Sequence, residues 1–147
     1  MKLSMTRAER EAFLADVHVG VLSIPEAGRG PLSAPIWYGY EPNGEIWVVT
    51  GRDSRKGRLL ALGMRVGFVV QSEAPPYRYV SVEGPVVSVA PSPGDAEERE
   101  LAHRYLGREA GDAYVASTAP RREAEPNILV RIRPERWLSV DYRKAFR

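Results

Sequence analysis

Residues 33–50 read SAPIWYGYEPNGEIWVVT, two runs of apolar and aromatic residues around an Asn-Gly pair. Asn43-Gly44 favours a tight turn, because the central positions of a two-residue hairpin loop need positive φ. Before the turn, residues 33–40 carry Trp37, Tyr38 and Tyr40; after it, residues 45–50 carry Ile46, Trp47, Val48 and Val49. β-Branched and aromatic residues in runs of this length predict strands. The stretch therefore predicts an antiparallel hairpin.

Upstream of it, Thr6-Arg7-Ala8-Glu9 forms a capping-box pattern and predicts a helix over about residues 7–15. Val17, Val19 and Val21 alternate with smaller or polar residues, which predicts a strand over 17–24, ended by the Pro- and Gly-bearing segment 25–31. Downstream, residues 51–53 turn the chain into a short helix reaching about residue 62, with Gly63 as its stop. Strands follow over 66–71 and 77–89, divided by Pro75-Pro76, and Gly84-Pro85 predicts a bulge in the second. A helix is expected over about 95–106, a polar loop over 118–126, and two closing strands over 127–132 and 137–140. Short strands with few helices between them predict a mainly β fold, an antiparallel barrel with peripheral helices, and argue against a parallel βαβ sheet. The 147 residues suit one domain over 1–147.

The composition narrows the function. Hydrophobic residues make 44% of the chain and charged residues 27%, an ordinary globular balance. Cysteine is absent, which excludes disulfides, thiolate metal sites and a cysteine nucleophile. A net charge of +2 argues against a nucleic-acid partner, and no apolar run is long enough to span a bilayer. The charged first eleven residues contain no apolar core of a signal peptide, so a cytoplasmic location is expected.

The chemistry concentrates in Thr50-Gly51-Arg52-Asp53-Ser54-Arg55-Lys56, where a strand ends and a helix begins among hydroxyls and cations. Unpaired N–H groups of a first helical turn, with Ser54, Arg55 and Lys56, make a phosphate pocket. The competing reading is a Ser54 cap with solvated cations. The two histidines lie on different elements without metal-ligand spacing. His103 reads as a surface residue and His18 as a structural one, so no metal is expected. Arg78 suits an interface, a cofactor contact or an ion pair with Glu83 or Glu73. The Arg121-Arg122-Glu123 stretch reads as a solvated loop, or as a flap over a substrate.

The segment 50–56 resembles the phosphate-binding segment of the pyridoxamine 5′-phosphate oxidase-like, FMN-binding split-barrel superfamily. The resemblance extends, in order, through the capped first helix, the strand 17–24, Ala34-Pro35-Ile36-Trp37-Tyr38, residues 75–84 and Arg133-Pro134-Glu135-Arg136-Trp137. It implies a Greek-key split β-barrel working as a homodimer that holds FMN, or the deazaflavin coenzyme F-420, between subunits. It also implies that Ser54, Arg55 and Lys56 meet the cofactor phosphate, that Val49 and Thr50 lie against phosphate or ring, and that Ala34, Pro35, Ile36 and Trp37 line the isoalloxazine face. Tyr79 stands where the pyridoxamine phosphate oxidases carry a glutamine facing the ring, and their basic residues on the second strand are missing from 33–38, which argues against vitamin B6 oxidation. Members that use F-420 often continue the helix with Arg-Asn, where this chain has Arg58-Leu59.

The expected activity is a flavoprotein oxidoreductase, FMN- or F-420-dependent, passing hydride to or from a small organic substrate, with NAD(P)H or reduced F-420 as donor. The reading from another class is a non-catalytic flavin carrier. No side chain is singled out as a catalytic acid or base.

Overall fold

The computed structural model describes residues 2–146 and resolves seven strands, four α-helices and a terminal 3-10 turn. Helix α1 (Arg7–Ala15) starts on the capping box: Thr6 Oγ1 accepts from the Glu9 N–H while the Glu9 carboxylate accepts from the Thr6 N–H. Strands β1 (Gly20–Ile24) and β2 (Leu32–Ile36) pair antiparallel, and β3 (Ile46–Gly51) follows the Asn-Gly turn, where Asn43 has φ 68°. After α2 (Arg55–Leu59) come β4 (Arg65–Gln71) and the 15-residue β5 (Arg78–Ser92). Helices α3 (Ala96–Leu106) and α4 (Arg108–Ala124) form a hairpin before β6 (Asn127–Ile132) and β7 (Arg136–Asp141).

The order across the sheet is β2-β1-β4-β5-β6-β3, with every pairing antiparallel. Strand β5 joins the two halves: residues 78–83 pair with β7 and, past a register shift between Val86 and Ser88, residues 86–92 pair with β6. The sheet curls into a split β-barrel with helices at its periphery. Gly84 sits where the β6–β7 connection crosses β5, and a Cβ there would overlap the Arg133 carbonyl. Alternation along the strands sends Leu22, Ile24, Phe68, Val70, Val80, Val82, Val130 and Ile132 into the barrel.

Three expectations change. Residues 33–40 and 45–50 flank the Asn-Gly turn, but they are linked only by the bridge Gly39↔Trp47; β2 pairs with β1 and β3 with β6. The chain leaves β2 after Ile36 because Tyr38 turns inward, fully buried, and donates its hydroxyl to the Leu14 carbonyl at 2.6 Å. Residues 118–126 are not a loop but largely the last turns of α4, which accommodates Pro120. In the turn before it, Thr118 Oγ1 donates to Tyr114 O at 3.0 Å and Arg122 Nη2 to Val115 O at 2.7 Å. Arg78 pairs with neither Glu83 nor Glu73; its guanidinium lies 4.8 Å over the Phe13 ring. No helix among the described residues is long and apolar enough to cross a membrane.

Candidate functional site

The site grows from the end of β3. Thr50 is buried there, the chain turns at Gly51, and Ser54 caps α2. Ser54 Oγ donates to Gly51 O at 2.7 Å, accepts from the Gly57 N–H at 3.1 Å and lies 3.2 Å from Thr50 Oγ1. A serine has one hydroxyl hydrogen, so Thr50 is the donor in that last pair. A Cβ on Gly57 would overlap the Gly51 carbonyl oxygen, so the glycine lets the first turn of α2 close onto the preceding turn. Helix α2 is only five residues long. Its aligned peptide dipoles are few, and the local charge comes mainly from side chains.

A cleft of about 480 Å³ opens beside this turn. Its β wall is Val49 and Thr50 at the end of β3 and Ser54 just past it, with Val19, Pro35, Ile36 and Trp37 from around the start of β1 and the end of β2. Lys56 enters it half-buried and makes no ion pair among the described residues. The other side is the α3–α4 hairpin, which contributes Glu98, Leu101, Tyr114, Arg121 and Arg122, with Glu125 and Asn127 just beyond α4. Trp37 pins the hairpin to the barrel, stacked on Tyr105 at 4.9 Å and inclined at 50° to Tyr114 at 5.3 Å. The Tyr105 hydroxyl donates to the His18 carbonyl at 2.5 Å and accepts from the Tyr38 N–H at 3.1 Å. Burial pushes its phenol above the ordinary tyrosine value.

Of the residues singled out from sequence, Pro35, Ile36, Trp37, Val49, Thr50, Ser54 and Lys56 meet at this cleft. Arg55 instead points to the β1–β2 connection, where it pairs with Glu26 at 2.6 Å. Ala34 lies opposite Leu22 and does not line the cleft. Tyr79 stands opposite Gln71 and Val140, also outside the cleft lining. His18 packs on Phe13 at 4.4 Å, and burial lowers its pKa, which keeps the imidazole neutral at pH 7. His103 bonds Asp112 at 2.6 Å across the helix hairpin.

Sequence reasoning missed the contribution of α4. Arg122, 8% exposed, pairs with Glu98, 13% exposed, at 3.0 Å, and Asn127 Nδ2 donates to the same Glu98 oxygen. Arg121 lines the cleft without an ion pair among the described residues. Glu125 reaches back to the β3–α2 turn and accepts from the Asp53 N–H at 3.2 Å. The helical spacing of Gly111, Val115, Thr118 and Arg122 is the signal that Pro120 concealed.

The arrangement offers an anion the cations Lys56 and Arg121, and offers a flat apolar group the wall of Val49, Pro35 and Ile36. A phosphorylated flavin-type group fits that lining, and Lys56 and Arg121 are the cations that would face its phosphate. A curled antiparallel sheet with peripheral helices and a cleft beside its third strand is the split β-barrel architecture. The profile of the family described as pyridoxamine 5′-phosphate oxidase matches residues 6–140, and the chain belongs to that family.

Solved structures agree in fold. The conserved hypothetical protein Rv2991 of Mycobacterium tuberculosis is 24% identical, with 99% of this chain and 90% of that one covered and a TM-score of 0.72. An F420 reductase is 21% identical over 87% and 94% of the two chains, with a TM-score of 0.68. An FAD-binding protein of Mesorhizobium loti is 20% identical over 92% and 94%, with a TM-score of 0.60. No curated protein matches the chain in sequence.

Proposed function

We propose that this chain, as a single domain, is an oxidoreductase that binds FMN or the deazaflavin F-420 and exchanges hydride with a small organic substrate. The observation that carries the reading is the cleft itself, in which Lys56 and Thr50 stand at one end of an apolar wall in a member of this family. The bound cofactor supplies the hydride chemistry; the chain's own residues bind, orient and exclude water. NAD(P)H or reduced F-420 serves as donor.

A second copy of the chain completes the site in this reading. Pro35, Val21, Val69, Ser81 and Leu138 form one uncharged row across five strands on the outer face of the sheet. Val19, 53% exposed, and Pro35 belong both to that face and to the cleft, and Leu138 is 60% exposed. A partner seated there buries apolar surface and closes the cleft at once.

Purified protein is expected to take up one of the two cofactors at micromolar concentration, with its absorbance band, and to bleach with a nicotinamide donor or with reduced F-420. Lys56→Ala should weaken uptake by roughly ten- to a hundred-fold, the worth of a charge-assisted bond. Protein that takes up neither cofactor overturns the reading. Uptake that no donor bleaches supports the non-catalytic carrier instead.

A further inference from the structure

Glu125 places a negative charge at the end of the cleft where the cofactor phosphate is expected. Its Oε1 accepts from the Asp53 backbone N–H at 3.2 Å, and a Cβ built on Gly51 would lie 2.5 Å from the same oxygen. The carboxylate thus fills space beside the turn that carries Thr50 and Ser54. Its position is also unusual for a helix: Glu125 is the C-cap of α4, where the dipole favours a cation. Helix stability does not account for a carboxylate there; its bond to the Asp53 N–H ties it to the turn and sets its charge in the cleft lining.

The charges around the cleft are nearly matched. Arg122 is neutralised by Glu98 in a little-exposed pair. Lys56 and Arg121 then face Glu125, so the lining as a whole carries one excess positive charge. A singly charged anion meets that excess. A doubly charged one must sit against the Glu125 carboxylate or displace it from Asp53.

We infer that Glu125 is a specificity-determining residue that restricts the phosphate end of the cleft to a singly charged phosphodiester and disfavours a terminal phosphate monoester. The inference rests on the cofactor site proposed above and selects within it. FMN ends in a monoester, which carries nearly two negative charges above a second pKa of about 6. The phosphate of F-420 is a diester with one.

The test titrates the full chain at pH 8 with riboflavin, FMN and the methyl ester of FMN, which has the same ring and a singly charged diester. The wild-type protein should bind the methyl ester about ten-fold tighter than FMN, the scale of one unfavourable charge contact in a partly solvated site. Glu125→Gln keeps an oxygen acceptor for the Asp53 N–H and removes only the charge. It should bring the two affinities together by tightening FMN, with riboflavin unchanged.

Equal affinities in the wild type, or a ratio unaltered by Glu125→Gln, overturn the role of Glu125. If Lys56→Ala then weakens both esters relative to riboflavin, the cofactor site stands without it. If Lys56→Ala weakens neither ester, the phosphate lies elsewhere and both readings fall. Where no flavin binds, the ratio is read from the Asp53 amide shift in titrations with methyl phosphate and dimethyl phosphate. A preference for dimethyl phosphate that disappears in Glu125→Gln supports the inference, and no preference overturns it.

Discussion

The barrel wall and the α3–α4 hairpin face each other across the cleft, and different interactions hold them. Each strand of the wall is fixed by a ladder to its neighbours and by a continuous apolar interior. The hairpin packs chiefly on itself, through Leu101, Ala102, Gly111 and Val115. Its ties to the rest of the fold are side-chain contacts and not a ladder: Trp37 against Tyr105 and Tyr114, the Tyr105 hydroxyl, Ser92 with Glu97, Asn127 with Glu98, and Arg104 with the Ala15 and Asp16 carbonyls. The wall can therefore hold Thr50 and Lys56 in fixed places while the hairpin, which brings Arg121 and Arg122, opens at lower cost.

Substitutions on the two sides should separate these behaviours. Phe68→Ala removes a ring that lies over Gly20 and meets Tyr38 edge-on at 4.9 Å. It should destabilise the whole fold by about 3–5 kcal/mol, read as a lower denaturant midpoint. Glu98→Ala should cost about 2 kcal/mol by leaving the Arg122 guanidinium without its carboxylate. Its signature is faster amide exchange in α4 with strand β4 still protected; equal loosening of β4 would mean that hairpin and wall unfold as one unit.

Asp141 belongs to the wall, and Arg143 holds its carboxyl below the usual aspartate range. The folded pKa lies below the unfolded one, so its contribution is present above about pH 4 and is lost as pH falls through the folded value. Asp141→Asn should lower stability at pH 7 by about 1–2 kcal/mol and flatten the acid limb of the stability curve. Arg55→Ala should have the smallest effect, within about 0.5 kcal/mol on stability, because its pair with Glu26 is a single partly solvated surface pair. Cofactor affinity should change less than about three-fold; a larger loss would return Arg55 to the phosphate.

The wall was far more legible than the hairpin, for physical reasons. Alternation along β1, β4, β5 and β6 and the Asn-Gly turn are local signals, and each strand falls close to its expected residues. Partner choice is not local: nothing in residues 33–50 states that β2 turns to β1 once Tyr38 is buried. The same division runs through the site. Thr50, Ser54 and Lys56 are neighbours in sequence, and their meeting could be read from one segment. Glu98 reaches it from α3, and Arg121 and Glu125 from the end of α4, a helix whose proline looked like a break.

Residues 3–5 are fastened to β7 and to the turn that follows it. Leu3 O accepts from the Asp141 N–H at 2.8 Å, the Met5 N–H donates to Ser139 Oγ at 3.0 Å, and Lys144 Nζ donates to Ser4 O at 3.0 Å. Residues 3–5 and 139–144 thus lie side by side, and none of them lines the cleft. A short linker could join them, with new ends cut into the exposed turn at residues 27–30. Such a rearranged chain would keep the cleft in one piece while carrying its new ends next to the Arg55–Glu26 pair.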